Sequence, residues 1–192
     1  METYLHKNGA AVSLSPRYIY EKAKKHDESS GSEGTWLNTI AYVIEQFGVP
    51  LEQVWPYKAL SRALPAGKTW KDLDDAAEYK AKLYRLSKFE DIAQQLSAGR
   101  PVLTGITVYG SSLQSAEVIR TGRFLMPLPG EEPAGGHAVV IVGWNPKDKV
   151  FLFANSWGTG WGAKGFGTMD EETARKLIGP MDAWGVEATA TH

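Results

Sequence analysis

Two segments of the chain repeat apolar residues every three or four positions, which is the spacing of a helix with one buried face. This spacing predicts helices over 35–47 and 87–98. A helix over 15–25 is predicted from its start, because Ser15 is a favoured N-cap residue and Pro16 suits the first helical position. We therefore expect the first half of the chain to be mainly helical.

The other two predicted helices carry signals at their ends. The helix over 35–47 has the strongest apolar pattern of the three, and Gly48 follows it as a stop. In the third helix we expect Ser87 to act as the N-cap, and Gly99 follows the last residue. Both segments therefore combine a helical apolar spacing with residues that mark a helix end.

The second half of the chain changes to short runs of β-branched and aromatic residues bounded by Gly, Pro or Asn. These runs predict strands over 101–109, 120–128, 137–145 and 149–157. Helices followed by antiparallel strands indicate the α+β class rather than alternating βαβ units. We expect a single domain over 1–192, with a mainly helical lobe over about 1–100 and a mainly β lobe over about 101–192.

Composition excludes several classes of partner. The 192 residues include 21 Lys and Arg against 22 Asp and Glu, a net charge of −1, so no uniform positive field attracts nucleic acid or an anionic membrane. No apolar run approaches the roughly 20 residues that span a bilayer. The opening METYLHKNG has no apolar stretch of the signal-peptide kind, so a cytoplasmic location is the default expectation.

The sequence contains few residues of the types that commonly bind metals or act as nucleophiles. The four histidines, His6, His26, His137 and His192, occur singly, without a partner four residues away, so we expect no metal site and no cofactor. The sequence contains no cysteine. This excludes disulfides, thiolate metal ligands and a thiol nucleophile within these residues.

One histidine and one asparagine nevertheless stand at matching positions. His137 begins one predicted strand and Asn155 closes the next, and the residues between the two strands, 145–148, favour a tight turn. In an antiparallel hairpin the two side chains would lie at the same end. An Asn oxygen that accepts from an imidazole N–H orients the ring and leaves its other nitrogen free to exchange a proton.

The residues around this pair resemble the papain-like cysteine peptidases of the papain and cathepsin type. The matching segments are 136–139, with the sequence GHAV, and 155–162, with the sequence NSWGTGWG. Weaker likeness extends upstream through 14–16, 33–35, 55–57 and 99–102. The resemblance implies a papain-like two-lobed α+β fold in which His137 and Asn155 are catalytic.

The resemblance also assigns other roles. Trp157 would shield the His137–Asn155 hydrogen bond from water, and Gly136 would shape the site beside it. Gly34 would lie at the edge where the substrate backbone pairs, with Trp36 as a wall of the ligand pocket. These are expectations about a peptide-binding site.

The nucleophile of the family has no counterpart in this sequence. In papain-like enzymes the Cys precedes the His by about 130–150 residues, which places it between about position −13 and position 7 here. Residues 1–7 are METYLHK, so Glu2, Tyr4 and Leu5 would be the remnant of the helix that the Cys begins. The oxyanion glutamine, further upstream in the family, has no counterpart either. Ser13 and Ser15 would follow that helix, so we expect neither to replace the Cys.

Three functions remain open at this point. The first is a non-hydrolytic pseudo-peptidase that binds a peptide or protein ligand in the cleft implied by the resemblance. The second is a peptidase whose Cys-bearing segment is supplied by an upstream region or a partner chain. The third is a structural or assembly protein. We also expect residues 1–12 to pack into the place of the missing helix, or a homodimer or partner chain to cover Trp36, Ile40 and Tyr42.

Overall fold

The computed structural model describes residues 12–27, 31–58, 61–178 and 182–188. Its helices are α1 (Pro16–His26), α2 (Leu37–Gln46), α3 (Trp70–Asp75), α4 (Glu90–Ser97), α5 (Gly110–Leu113), α6 (Ala116–Thr121) and α7 (Glu171–Leu177). Its strands are β1 (Ala81–Arg85), β2 (Val102–Val108), β3 (Gly135–Asn145), β4 (Val150–Ala154), β5 (Phe166–Asp170) and β6 (Ala183–Ala188). Helices therefore dominate the first part of the chain and strands the second, which confirms the α+β class. No helix in these ranges has the length and apolar character needed to cross a bilayer.

The six strands form one sheet in the order β1-β6-β2-β3-β4-β5. β3 pairs antiparallel with β2 on one side and with β4 on the other. The pairing with β2 runs from Val102 opposite Ile141 to Val108 opposite Gly135, and a bulge interrupts the pairing with β4 between Ile141 and Gly143. β3 is thus the long inner strand on which the predicted His137 sits.

The described chain divides into two compact units. The first contains the residues up to Tyr84 together with 186–188, and the second contains Arg85–Gly185. The chain therefore leaves the first unit once and returns to it in the last strand.

The first unit is built around α1 and α2. Tyr18, Val43 and Trp55 are fully or almost fully buried in one apolar cluster. Ser15 is the N-cap of α1, and its hydroxyl accepts from the Tyr18 N–H at 3.1 Å while donating to the Trp55 carbonyl at 2.6 Å. One buried hydroxyl therefore starts the helix and holds the loop that carries Trp55 against it.

A charged pair lies beside this cluster. Lys22 is almost fully buried, and its ammonium donates to both carboxylate oxygens of Asp74 at 2.7 Å. The buried Tyr18 hydroxyl donates to the same carboxylate at 2.7 Å. The ammonium also lies 3.9 Å from the centre of the Phe47 ring. The buried ammonium is tolerated here because both carboxylate oxygens of Asp74 accept from it and the Phe47 ring faces it.

The second unit buries one face of the sheet. Along β2 the residues alternate between buried and partly exposed, and Val102, Thr104 and Ile106 are buried. α4 packs against β2 and β3, and α7 packs against β2, β4 and β5. The period-2 burial and the covering helices explain why this face is apolar.

The two outer strands are partly capped. On β1 the backbone N–H of Leu83 donates to the Glu45 carboxylate at 2.8 Å. On β5 the backbone N–H of Thr168 donates to the Gly122 carbonyl at 3.0 Å, and the Thr168 carbonyl accepts from the Phe124 N–H at 2.8 Å. These three backbone groups, which a further strand could use, are therefore bonded within this chain.

Some predictions from the sequence are wrong. Residues 120–128 do not form a strand: 120 and 121 end α6, and the rest is irregular apart from one bridge between Arg123 and Thr168. Gly122, with φ 72°, ends the helix and turns the chain away. Ser87 is not the N-cap of α4, which begins after Phe89; the Ser87 hydroxyl donates to Asp91 instead.

Candidate functional site

The hairpin of β3 and β4 carries His137 and Asn155 to the same end, as the sequence predicts. Val140 pairs with Ala154, the last residue of β4, so Asn155 follows directly where β3 approaches its start. The turn between the strands is held by Asn145, whose side-chain oxygen accepts from the backbone N–H of Lys147 at 3.0 Å. Turn and register together fix which residues meet at the open end.

His137 and Asn155 form a hydrogen bond. The distance between His137 Nε2 and Asn155 Oδ1 is 2.8 Å, so the predicted contact is confirmed. The Ser156 backbone N–H also donates to Asn155 Oδ1, at 2.8 Å. Because an N–H must meet an oxygen, the orientation of the amide is determined and His137 Nε2 is the protonated nitrogen. Nδ1 of the neutral ring is then a proton acceptor.

The Trp157 ring stacks on the His137 ring, as predicted. Their centroids are 4.7 Å apart and the planes differ by 22°. Trp157 is 42% exposed and meets the edge of Trp161 at 5.4 Å. Trp161 is buried and contacts Phe124 and Phe153. A continuous series of aromatic rings therefore joins the imidazole to the core of the second unit and restricts its rotation.

Glycines allow this aromatic corner to close. A Cβ on Gly167 would lie 2.3 Å from the Gly122 carbonyl oxygen and 2.8 Å from the Trp161 ring. A Cβ on Gly162 would lie 2.9 Å from the Gly122 Cα, and Gly162 also has φ 53°. Three backbone segments thus approach more closely than any side chain permits.

The other predicted site residues are found in two places. Gly136 is exposed and precedes His137 on β3. Gly34 and Trp36 belong to the first unit, where Gly34 has φ 79° and Trp36, the residue before α2, is 67% exposed. The roles assigned to these residues stay predictions. Glu2, Tyr4, Leu5, His6 and His192 lie outside the described residues.

The site offers acid–base chemistry. Among the described residues the His137 ring hydrogen-bonds to Asn155 and to no hydroxyl, and no group of three metal-ligating side chains occurs in the same ranges. Ser15 is fully buried and its hydroxyl is engaged at both ends, which agrees with its dismissal as a nucleophile. An oriented imidazole with a free Nδ1 can take a proton from a thiol or hydroxyl brought to it.

Comparison with known proteins places this geometry in a family. The family model described as papain family cysteine protease matches residues 1–184. The chain belongs to the papain family of cysteine proteases. The likeness of residues 155–162 to the asparagine motif of the family is thus part of a match that extends over residues 1–184.

Similar curated proteins come from distant organisms. An uncharacterized peptidase C1-like protein of Acanthamoeba polyphaga mimivirus is 34% identical over 151 residues, which is 74% of this chain and 47% of that protein. Ananain of Ananas comosus is 26% identical over 170 residues, 85% of this chain and 44% of that protein. The chain therefore spans about half the length of the curated relatives it matches.

Solved structures give the same fold. Xylellain, a cysteine protease from Xylella fastidiosa, matches with a TM-score of 0.81 and 23% identity over 98% of this chain and 75% of that one. Digestive procathepsin L 3 of Tenebrio molitor matches with a TM-score of 0.66 and 18% identity over 98% and 59%. These likenesses establish the papain-like fold for this chain.

Two parts of the site were not predicted from the sequence. One is the Ser156 backbone N–H, which determines the orientation of Asn155. The other is Glu131 in the segment before β3, whose carboxylate accepts from the backbone N–H groups of Ser111 and Leu128. A backbone donor leaves no signal in residue type, and Glu131 lies 20 residues from Ser111, so no local pattern links them.

Proposed function

We propose that this chain is a papain-family domain without hydrolytic activity of its own. It binds a peptide or an extended protein segment at the surface formed by His137, Asn155 and Trp157, which we name the His137 corner. The observation that carries the proposal is an oriented His137–Asn155 pair under Trp157 in a sequence with no cysteine. Acyl transfer in this family needs a thiolate beside the imidazole. Without one, the machinery that orients the base has no group to activate.

The surface beside His137 supports peptide binding. Gly135 and Gly136 are exposed, and nothing lies within 4 Å of a Cβ placed on Gly135. A ligand backbone can therefore approach this part of β3 closely. Trp157 offers an exposed ring for an apolar side chain, and aromatic rings at the surface commonly supply binding energy.

The proposal is tested with two measurements on the purified chain. The binding probe is a mixture of peptides from trypsin-digested casein, followed by the NMR signals of the His137 imidazole and the Trp157 indole. In the wild type we expect both signals to shift. In Trp157→Ala, where only the His137 signal remains, we expect that signal not to shift. A fluorogenic dipeptide amide tests turnover, with His137→Ala as the reference and His26→Ala, another single histidine, as the matched control.

The outcomes separate clearly. Shifts without turnover support the proposal. Turnover above the His137→Ala reference would show that this chain holds a nucleophile, and absence of any shift at millimolar peptide would reject peptide binding.

A second function is favoured by the exposed side of α2. Trp36 is 67% and Tyr42 is 46% exposed, and the curated relatives are about twice as long as the matched region. An uncovered aromatic surface of this kind marks a contact with another segment or chain. We propose, as the alternative, that a Cys-bearing segment or partner chain, or a second copy of this chain, covers it.

Light scattering, co-purification and inhibition by iodoacetamide test the alternative. A mass above that of one chain would show self-association. If the natural protein co-purifies with a Cys-bearing segment and its turnover is abolished by iodoacetamide, the chain is part of a complete cysteine peptidase. A stable monomer with no associated segment would exclude both forms of the alternative.

A further inference from the structure

A single carboxylate organises the segment that precedes His137. Residues 125–134, which we name the approach loop, connect the end of the α6 region to β3. The loop is attached at both ends, because Leu125 donates to the Ser112 carbonyl at 3.2 Å and Ala134 donates to the Val108 carbonyl at 2.7 Å. Val108 lies two residues from Ile106, which is paired with His137. The loop therefore ends close to the site.

The middle of the approach loop is a tight turn. Glu131 donates its backbone N–H to the Leu128 carbonyl at 3.1 Å, and Gly130 has φ 78°. Proline at the second position and a left-handed glycine at the third are typical of a type II turn. The turn brings the Glu131 carboxylate back over its own backbone.

The Glu131 carboxylate binds two elements at once. It accepts from the Leu128 N–H at 3.0 Å, from the Ser111 N–H at 2.9 Å and from the Ser111 hydroxyl. The Ser111 hydroxyl above all, and then backbone N–H groups, hold the pKa of this carboxyl below its ordinary range. The carboxylate thus ties the turn to α5, which follows β2.

The loop held in this way displays apolar side chains. Leu128 is 64% exposed and Met126 is 39% exposed, on either side of Pro127. An exposed leucine on a restrained backbone loses little entropy when a ligand covers it. A restrained loop with exposed apolar side chains is better suited to contact an apolar group than a mobile, solvated loop is.

We propose that Glu131 is a positioning residue, which fixes the approach loop so that Met126 and Leu128 contact an apolar side chain of a peptide bound at the His137 corner. This rests on the proposed function. Our proposal adds that the bound peptide carries an apolar residue outside the segment that lies against Trp157.

Hydrogen exchange tests the positioning role without any ligand. In Glu131→Gln the carboxylate loses its charge and one acceptor, so we expect exchange of the approach-loop amides to rise by about tenfold or more. Glu132→Gln, the matched control, removes the same charge one residue away and should change nothing. Unchanged protection of β4 and β5 shows that the variant is folded. Exchange equal in the two variants would overturn the proposal.

Ligand contact is tested separately with the casein peptide mixture. Leu128→Ser and Met126→Ser should weaken binding by about fivefold or more each while leaving loop exchange unchanged, which a purely structural role would not produce. Normal binding in both variants would overturn the contact part. If the wild-type protein binds no peptide, the proposed function fails, whereas the exchange result still decides whether Glu131 positions the loop.

Discussion

At the scale of single residues, the Ser156 backbone N–H decides the chemistry of His137. It shares the Asn155 oxygen with the imidazole, so the amide cannot rotate without losing two hydrogen bonds. The proton of the neutral ring is thereby held on Nε2, and Nδ1 is left as the acceptor. The orientation of the base thus survives in a sequence without the thiol that it serves in this family.

This assignment predicts an NMR result. At a pH where the His137 ring is neutral, its nitrogen shifts should report protonation at Nε2. Asn155→Ala removes the acceptor and should produce a mixture of the two tautomers. Ser156→Ala keeps the backbone N–H and serves as the control, in which the wild-type tautomer should persist. Protonation at Nδ1 in the wild type would contradict the hydrogen-bond assignment.

The glycine contacts at the aromatic corner predict a large cost for one methyl group. In Gly167→Ala the new Cβ would meet the Gly122 oxygen, the Phe153 ring and the Trp161 ring at 2.3–2.8 Å. We expect the free energy of unfolding to fall by about 3 kcal/mol, because a packed core must move to admit it.

Gly160→Ala is the matched control for that change. Nothing lies within 4 Å of a Cβ at this position. Urea unfolding should therefore give nearly the wild-type midpoint for Gly160→Ala and a much lower one for Gly167→Ala. Equal midpoints would show that the corner is less closely packed than described.

At the scale of elements, the ends of helices depend on partners far away in sequence. Ser15 and Ser115 are both N-caps, but only the Ser15 hydroxyl also binds a distant carbonyl, that of Trp55. Serine is a favoured N-cap residue at either position, so residue type alone does not separate the two. Only the fold distinguishes a cap that also fastens a loop.

Replacing the two serines should separate these roles. Ser115→Ala should lower the free energy of unfolding by about 1 kcal/mol, the usual value of a cap. Ser15→Ala also leaves a buried carbonyl unbonded, so we expect a loss of about 2–3 kcal/mol. Thermal or urea unfolding measures both. A smaller loss for Ser15→Ala than for Ser115→Ala would contradict the double role.

Local pattern predicted the elements that bear the site, and failed where distant contacts decide. The helices near 15–25, 35–47 and 87–98 and the hairpin of β3 and β4 follow from apolar spacing, helix-start residues and turn residues. Residues 120–128 have strand composition, yet their place is set by Gly122 packed against β5. The family motif identified His137 and Asn155, whereas Ser111 and Glu131 meet only because two loops fold together.

At the scale of the whole molecule, the stability of the first unit is linked to pH through a buried phenol. Burial, and then the hydrogen bond to Asp74 and its negative charge, raise the pKa of Tyr18 above the ordinary value of 10.0. As pH rises past about 10 the unfolded chain loses this proton first. The folded state then binds more protons, so the free energy of unfolding decreases with pH.

Tyr18→Phe isolates this contribution. The variant should be less stable than the wild type by about 1 kcal/mol at pH 8, where it lacks one hydrogen bond. Between pH 10 and 11 the wild type should lose up to about 1.4 kcal/mol that the variant does not lose. Urea midpoints across pH 8–11 check this, and parallel curves for the two proteins would contradict it.

The bonded edges of the sheet bear on how the protein behaves when crowded. An open strand edge is a template on which a second chain can add a strand, and repeated addition leads to fibrils. Here the Leu83 N–H faces the Glu45 carboxylate, and both backbone groups of Thr168 are occupied by residues 122–124. A strand arriving at either place must first displace a bond that the chain makes with itself, and at Leu83 it must also expel a negative charge. The groups that terminate the sheet thus oppose its growth into an aggregate.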